Sequence, residues 1–146
     1  MSDMKLCQRI ITTDNSKVTI LMRLSVGGIF LSEGIQKFLF PDTVGEGRFE
    51  DIGFNNPGFW AQFTGTFEIL CGCLILLGLF IRFAAIPLLI IMFVAFITTK
   101  YPILVSKGFW SMAHEYRTDF AMTIGIIILM IKGAGNWSFD RKLMNI

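Results

Sequence analysis

Several ionisable side chains stand where a run of apolar residues should exclude them. Glu68 lies near the middle of Gly58 to Ile81, GFWAQFTGTFEILCGCLILLGLFI, which at roughly 1.5 Å per helical residue is long enough to cross the hydrocarbon core of a bilayer. Arg23, Glu33 and Lys37 interrupt a second run of about that length, Val18 to Phe40, while His114, Glu115 and Asp119 lead into a third, Phe120 to Ile131. A charge in hydrocarbon costs a few kcal/mol or more unless it is neutralised or partnered, so ionisable residues inside a span are functional-site candidates by default. Carboxylates there can pair with Lys or Arg, or can exchange protons with the oxygens of a bound ligand. Glu68, Asp119, Glu33 and Lys37 are therefore the candidate catalytic residues. Glu68, Lys37, His114, Glu115, Phe67, Trp110 and Arg23 are the candidates for holding a cofactor.

Such groups need helices that bring them together. At about 100° per residue, Arg23, Gly27, Phe30, Gly34 and Lys37 fall within about 80° of one another, and Glu33 lies roughly 40° beyond Lys37. One face thus carries three charges and two glycines, which let a neighbouring helix approach, and Glu33 with Lys37 has the favourable i,i+4 order for an ion pair. The competing reading is an architectural Lys37 that snorkels from its helix end. Glu68 shares a stripe with Ala61, Thr64, Gly65 and Gly72, and is expected to face the interior in a polar network with Lys37 or Arg23 and with Asp119. Counted inward from Phe40, Phe59 and Ser111, the carboxylates of Glu33, Glu68 and Asp119 lie roughly 10 to 14 Å below the outer helix ends. The expectation is one polar pocket in the outer half of a bundle, with Lys37, Glu115 and His114 slightly above it and Arg23 far below. For His114 to Asp119 the alternative is a helix start enriched in acids that favour the helix N-terminus.

Spans are expected at about 18–40, 58–81, 83–99 and 111–132. Residues 41–57, PDTVGEGRFEDIGFNNP, combine Pro, Gly and Asn with four carboxylates against Arg48, and read as a loop outside the membrane. The third run is expected to close at Lys100, Tyr101 and Pro102. Phe120 to Ile131 covers only about 18 Å, so the fourth helix must begin earlier, near Trp110 or Ser111. Residues 1–17 lack the apolar run and small-residue cleavage site of a signal peptide and read as a cytoplasmic tail. Residues 133–146 read as a basic cytoplasmic tail with Trp137 at the interface.

The 146 residues are 53% hydrophobic and 16% charged, with 15 Phe. A mean hydropathy of +0.63 is too apolar for an ordinary soluble domain of this size. The chain therefore reads as all-α, an integral membrane antiparallel four-helix bundle, multi-pass in a bacterial-type inner membrane. With four spans, Lys5, Arg9, Lys17, Arg82, Lys132, Arg141 and Lys142 fall on one side and Arg48, Lys100, Lys107 and Arg117 on the other, which favours cytoplasmic termini. The formal charge of +2 is scattered, and nucleic acid is not an expected partner. Cys71 and Cys73 point about 200° apart on a helix and cannot bridge, and with Cys7 they make no disulfide framework. No haem ligand pair, iron–sulfur cysteine set, nucleotide-binding glycine motif or metal motif is present.

Three motifs, RLSVGGIFLSEGIQKF (Arg23 to Phe38), FEILCGCLILLGLFIRFAA (Phe67 to Ala85) and GAGNWSFD (Gly133 to Asp140), carry a likeness that covers nearly the whole chain after residue 17. The chain resembles the DoxX family of small four-helix membrane proteins. The matching positions are Arg23, Gly34 and Lys37; Glu68, Gly72, Gly78 and Arg82; and Gly133, Gly135, Ser138 and Asp140. The resemblance implies an inner-membrane protein, in some members a subunit of a quinone-linked sulfur oxidoreductase and in others a partner of redox proteins. It implies no single activity. Cys71 and Cys73 around Gly72 depart from the usual pattern of aliphatic or small residues, and the CxxC pair of vitamin K epoxide reductase-like enzymes is missing.

The first functional reading is a quinone-interacting subunit of a membrane redox system, in some relatives one that oxidises sulfur compounds, with the quinone in the outer pocket and electrons supplied by a partner protein. The second is a non-catalytic membrane subunit, its buried charges locking one helix arrangement and its acidic loop docking a partner. The third is a small proton-linked carrier, which with four spans and no internal repeat would need further copies of the chain. The expected partners are membrane lipids, a redox partner protein and further copies of the chain.

Overall fold

The structure, a computed structural model, describes residues 12–144; the expectations for residues 1–11, Cys7 among them, and for 145–146 lie outside the described residues. The described chain is all-helical: α1 (Thr19–Leu39), α2 (Glu46–Asp51), α3 (Pro57–Leu77), α4 (Ile81–Ala95), a π-helical turn (Phe96–Lys100), α5 (Tyr101–Lys107), α6 (Phe109–Lys132) and α7 (Phe139–Met144).

Glycine decides how the first hairpin packs. Gly27 and Gly34 on α1 meet Gly72 and Gly65 on α3, and each pair is seven residues apart, two helical turns on one face. A Cβ on Gly34 would lie 2.7 Å from the Gly65 carbonyl oxygen, and one on Gly72 would lie 2.8 Å from the Leu31 amide nitrogen. Backbone thus rests on backbone, and the two helices run antiparallel in the most extensive contact of the fold. The acidic loop folds α2 over the start of α3, with the Glu46 carboxylate beside Gly58, where the helix N-terminus favours negative charge.

The hairpin ends where Gly78 adopts φ +68° and donates to Ile75 O at 3.1 Å, while Leu79 N donates to Leu74 O at 2.9 Å. From Ile81 the chain is helical to Lys107 rather than closing at Lys100 to Pro102 as expected. The reason lies in the turn Phe96–Lys100, whose wider winding leaves room for the Pro102 ring, which would crowd the Thr98 carbonyl in a regular α-helix. Gly108, at φ +85°, then reverses the chain into α6. Because α6 begins at Phe109, His114, Glu115 and Asp119 belong to its first three turns.

The core gathers Val26, Phe30, Ile75, Ile81, Ala85, Leu88, Ile126 and Leu129 from all four long helices. The outer faces are apolar too, with Leu21, Phe83, Ile90, Phe93, Val105 and Ile131 more than half exposed. That is the surface of a protein facing lipid rather than water. The segments Pro57–Leu77 and Ile81–Lys107 are long and apolar enough to cross a membrane. Helices α1 and α6 have the length, 21 and 24 residues, but carry charged side chains. Both described termini meet at one end, where Asp14 N donates to Lys132 O at 2.9 Å and Asn136 N to Ser16 O at 3.2 Å.

Candidate functional site

The expected single pocket is divided into two ion pairs and a buried clamp. Helical side chains lean toward the N-terminus of their own helix, so offset residues on antiparallel neighbours lean toward each other. Lys37 on α1 and Glu68 on α3 do so, with Nζ 2.7 Å from Oε2 and only 12% and 6% of the two side chains exposed. The expected partnership of Glu68 with the charged face of α1 is therefore present, through Lys37. Glu33 does not join it. Glu33 is exposed on α1, off the buried face that carries Lys37, whereas the buried Glu68 carboxylate needs the ammonium to offset its desolvation. Phe67, next to Glu68, is half-buried against the core and lies 4.9 Å from the Phe63 ring.

Asp119 does not join Glu68 either. It meets Lys100, the last residue of the π-helical turn, at 3.3 Å, with side-chain exposures of 30% and 12% respectively. Above this second pair opens a groove of about 570 Å³ lined by Ile103, Lys107, Trp110, Ser111, His114 and Glu115. Register places it there: Ile103 and Lys107 follow Lys100 at three and seven residues, and Ser111, Glu115 and Asp119 occupy successive turns of one α6 face. Trp110, His114 and Glu115 thus line one opening, away from Glu68, Lys37 and Phe67. Such a groove offers an indole and an aliphatic wall to a ring, and hydroxyl, imidazole, carboxylate and ammonium groups to its polar atoms.

Arg23 belongs to neither place. Only 3% exposed, it donates through Nε to Ile75 O at 3.0 Å, through Nη2 to Leu76 O at 2.6 Å, and through Nη1 to Ala134 O at 3.3 Å and Trp137 O at 3.1 Å. It forms a clamp between the end of α3 and the segment after α6, apart from the other residues expected to hold a cofactor. Asp140, 1% exposed, completes that clamp from α7 by accepting from Phe80 N at 2.8 Å and Ile81 N at 3.4 Å, two amides that the start of α4 leaves without helical partners. Burial pushes the Asp140 carboxyl above the usual carboxylate range, against the opposing pull of the Phe80 and Ile81 amides and of Arg23 and Arg82. Cys71 is buried and Cys73 half-buried, both as free thiols.

In the sequence Asp140 stood out only as a position matching the family, and Lys100 and Lys107 carried no site role. Lys100 would have emerged from continuing the third helix through Pro102, which sets it level with Asp119. For Asp140 the signal was a carboxylate shortly after the last long helix and a helix start at Ile81 without a capping side chain of its own.

Comparison with known proteins identifies the family. The chain is 48% identical over 141 residues to an uncharacterized membrane protein of Mycobacterium tuberculosis (strain ATCC 25618 / H37Rv), covering 92% of this chain and 86% of that protein. No solved structure matches it. A family model described as DoxX matches residues 18–101, which include the glycine-packed hairpin, the Lys37–Glu68 pair and Lys100. With that match and that relative, the chain belongs to the DoxX family of membrane proteins.

Proposed function

We propose that this protein crosses a bacterial-type inner membrane four times, with cytoplasmic termini, and serves as a quinone-interacting subunit of a membrane redox system. The four-span reading is supported by where three charges of α1 and α6 go: Lys37 is paired with Glu68, Asp119 with Lys100, and Arg23 with four carbonyls, while Leu21, Phe83, Ile90, Phe93 and Ile131 face outward and Glu33, Glu115 and Arg117 stay exposed. The Lys/Arg count supports this orientation, in which the groove opens toward the outer surface.

The observation that carries the quinone reading is this groove, whose volume of about 570 Å³ falls within the range of small-molecule sites, roughly 300–1,000 Å³. Its residues fit a planar ring carrying two oxygens. Trp110 and Ile103 would flank the ring, and Ser111, His114 and Glu115 would hydrogen-bond the oxygens, with imidazole and carboxylate able to hold or give up the protons. A quinone, when bound, supplies a carrier of two electrons and two protons. The electrons come from a partner protein. The Lys100–Asp119 pair ties the π-helical turn that leads into α5 to α6.

The test is to purify the protein in mild detergent, extract its lipids and compare wild type with Trp110→Ala and His114→Ala. Wild type is expected to carry quinone and to be thermally stabilised by an added short-chain quinone, and both variants to lose these properties while remaining folded. If wild type carries no quinone above background and shows no stabilisation, the redox reading gives way to a second one, a partner-docking membrane subunit. That alternative is favoured by the exposed acidic loop, with Asp42, Glu46, Glu50 and Asp51 against Arg48, and by the closed Lys37–Glu68 pair. A protein co-purifying in fixed stoichiometry would support it.

A further inference from the structure

The opposite end of the molecule, where the described termini meet, carries a second groove of about 320 Å³, lined by Leu77, Trp137, Ser138, Phe139 and Lys142. We propose that it is a binding site for an anionic phospholipid, with the headgroup phosphate on Lys142 and the acyl chains against Leu77 and Phe139.

The first argument is backbone strain. Trp137 has φ +57°, a left-handed conformation that a bulky residue adopts only when its surroundings impose it. The Arg23 guanidinium imposes it by drawing the Trp137 carbonyl inward, and the indole is thereby turned outward, 76% exposed. The Ser138 hydroxyl donates to Gly135 O at 2.7 Å and fixes the same turn from inside. Rigid backbone therefore presents the indole at the level where α6 ends, the position that Trp favours at a membrane surface.

The second argument is charge. Lys142 forms no ion pair with a carboxylate among the described residues; its Nζ stands 5.4 Å from the centroid of the Phe139 ring. Asp140, the nearest acid in sequence, is turned inward to Phe80 and Ile81 and does not meet the cation. A cation beside exposed Leu77, Phe139 and Trp137 matches a molecule with a negative head and apolar tails. Free phosphate offers nothing to the apolar wall, and a zwitterionic lipid brings an ammonium that Lys142 repels.

The full chain in a neutral detergent is titrated with phosphatidylglycerol, phosphatidylcholine or inorganic phosphate, and its thermal midpoint followed. Phosphatidylglycerol is expected to raise the midpoint, less so at high salt, while the other two leave it unchanged. Lys142→Gln should weaken the response roughly fivefold, the loss of one lysine at an anionic surface. Lys142 is exposed, so the variant should fold; Trp137→Phe, which keeps a ring but shortens it, should weaken the response without abolishing it. Equal stabilisation by inorganic phosphate would overturn the lipid assignment, and an unchanged response in Lys142→Gln would overturn the site. Neither outcome bears on the quinone reading, whose groove lies at the other end.

Discussion

The two hairpins of this bundle carry the same chemical pair in opposite settings. In each, a lysine on the first arm leans down to a carboxylate on the second, Lys37 to Glu68 and Lys100 to Asp119. The first pair is short, 2.7 Å, with both partners nearly buried beside a glycine seam that brings backbones together. The second is longer, 3.3 Å, and Asp119 is 30% exposed beneath an open groove. What differs is what surrounds the charges. Where glycines bring the helices together the ion pair is closed in between them; beside the π-helical turn the pair stays partly exposed, one to two turns from the groove.

The largest effect is expected from breaking the buried pair. Glu68→Leu leaves the Lys37 ammonium buried without its partner and should cost roughly 3–5 kcal/mol, measured by unfolding in detergent, whereas Glu68→Gln should cost less because its amide still accepts a hydrogen bond. Equal losses in the two variants would remove the ion pair from the account of α1–α3 packing. Next comes the seam itself. Gly34→Ala drives a methyl into the Gly65 carbonyl and should cost roughly 1–3 kcal/mol, while Gly28→Ala, with open space around it, should be neutral or gain up to about 1 kcal/mol of helix stability. A harmless Gly34→Ala would mean that the helices are not held by close backbone approach.

The second pair should tolerate more. Asp119→Leu is expected to cost no more than about 1 kcal/mol, because the flexible Lys100 stem can lift its ammonium into the groove near Glu115. A loss matching that of Glu68→Leu would erase the distinction between the two settings. The smallest effect concerns Asp140. An acid whose folded pKa lies above its unfolded value binds its proton more tightly when folded, so its contribution to stability is complete at low pH and declines as pH rises through the folded value. Wild type should therefore lose stability relative to Asp140→Asn as pH rises from the ordinary carboxylate range upward. A difference independent of pH would show that the carboxyl does not titrate differently on folding.

Much of this was legible in the residues alone, because burial and helix period are local properties. Glu68 in an apolar run, the Gly27 and Gly34 face and the small-residue stripe of α3 announced a close helix pair holding a buried charge. Lys37 followed from its place on the same face as those glycines. What the sequence could not state was which helix faces meet. Glu33, Glu68 and Asp119 lie at similar counted depths, yet depth along a helix says nothing about rotation around the bundle axis, and rotation sends the three to the outer surface, to Lys37 and to Lys100. Arg23 was readable as buried, but its partners are carbonyls, which every residue possesses and no composition reveals. Lys100 was hidden by Pro102, an apparent helix stop that a single π-helical turn converts into a continuation. Sequence by itself determined that charges would be buried on glycine-bearing helices; tertiary structure decided how they pair, because pairing depends on azimuth and on backbone atoms common to all residues.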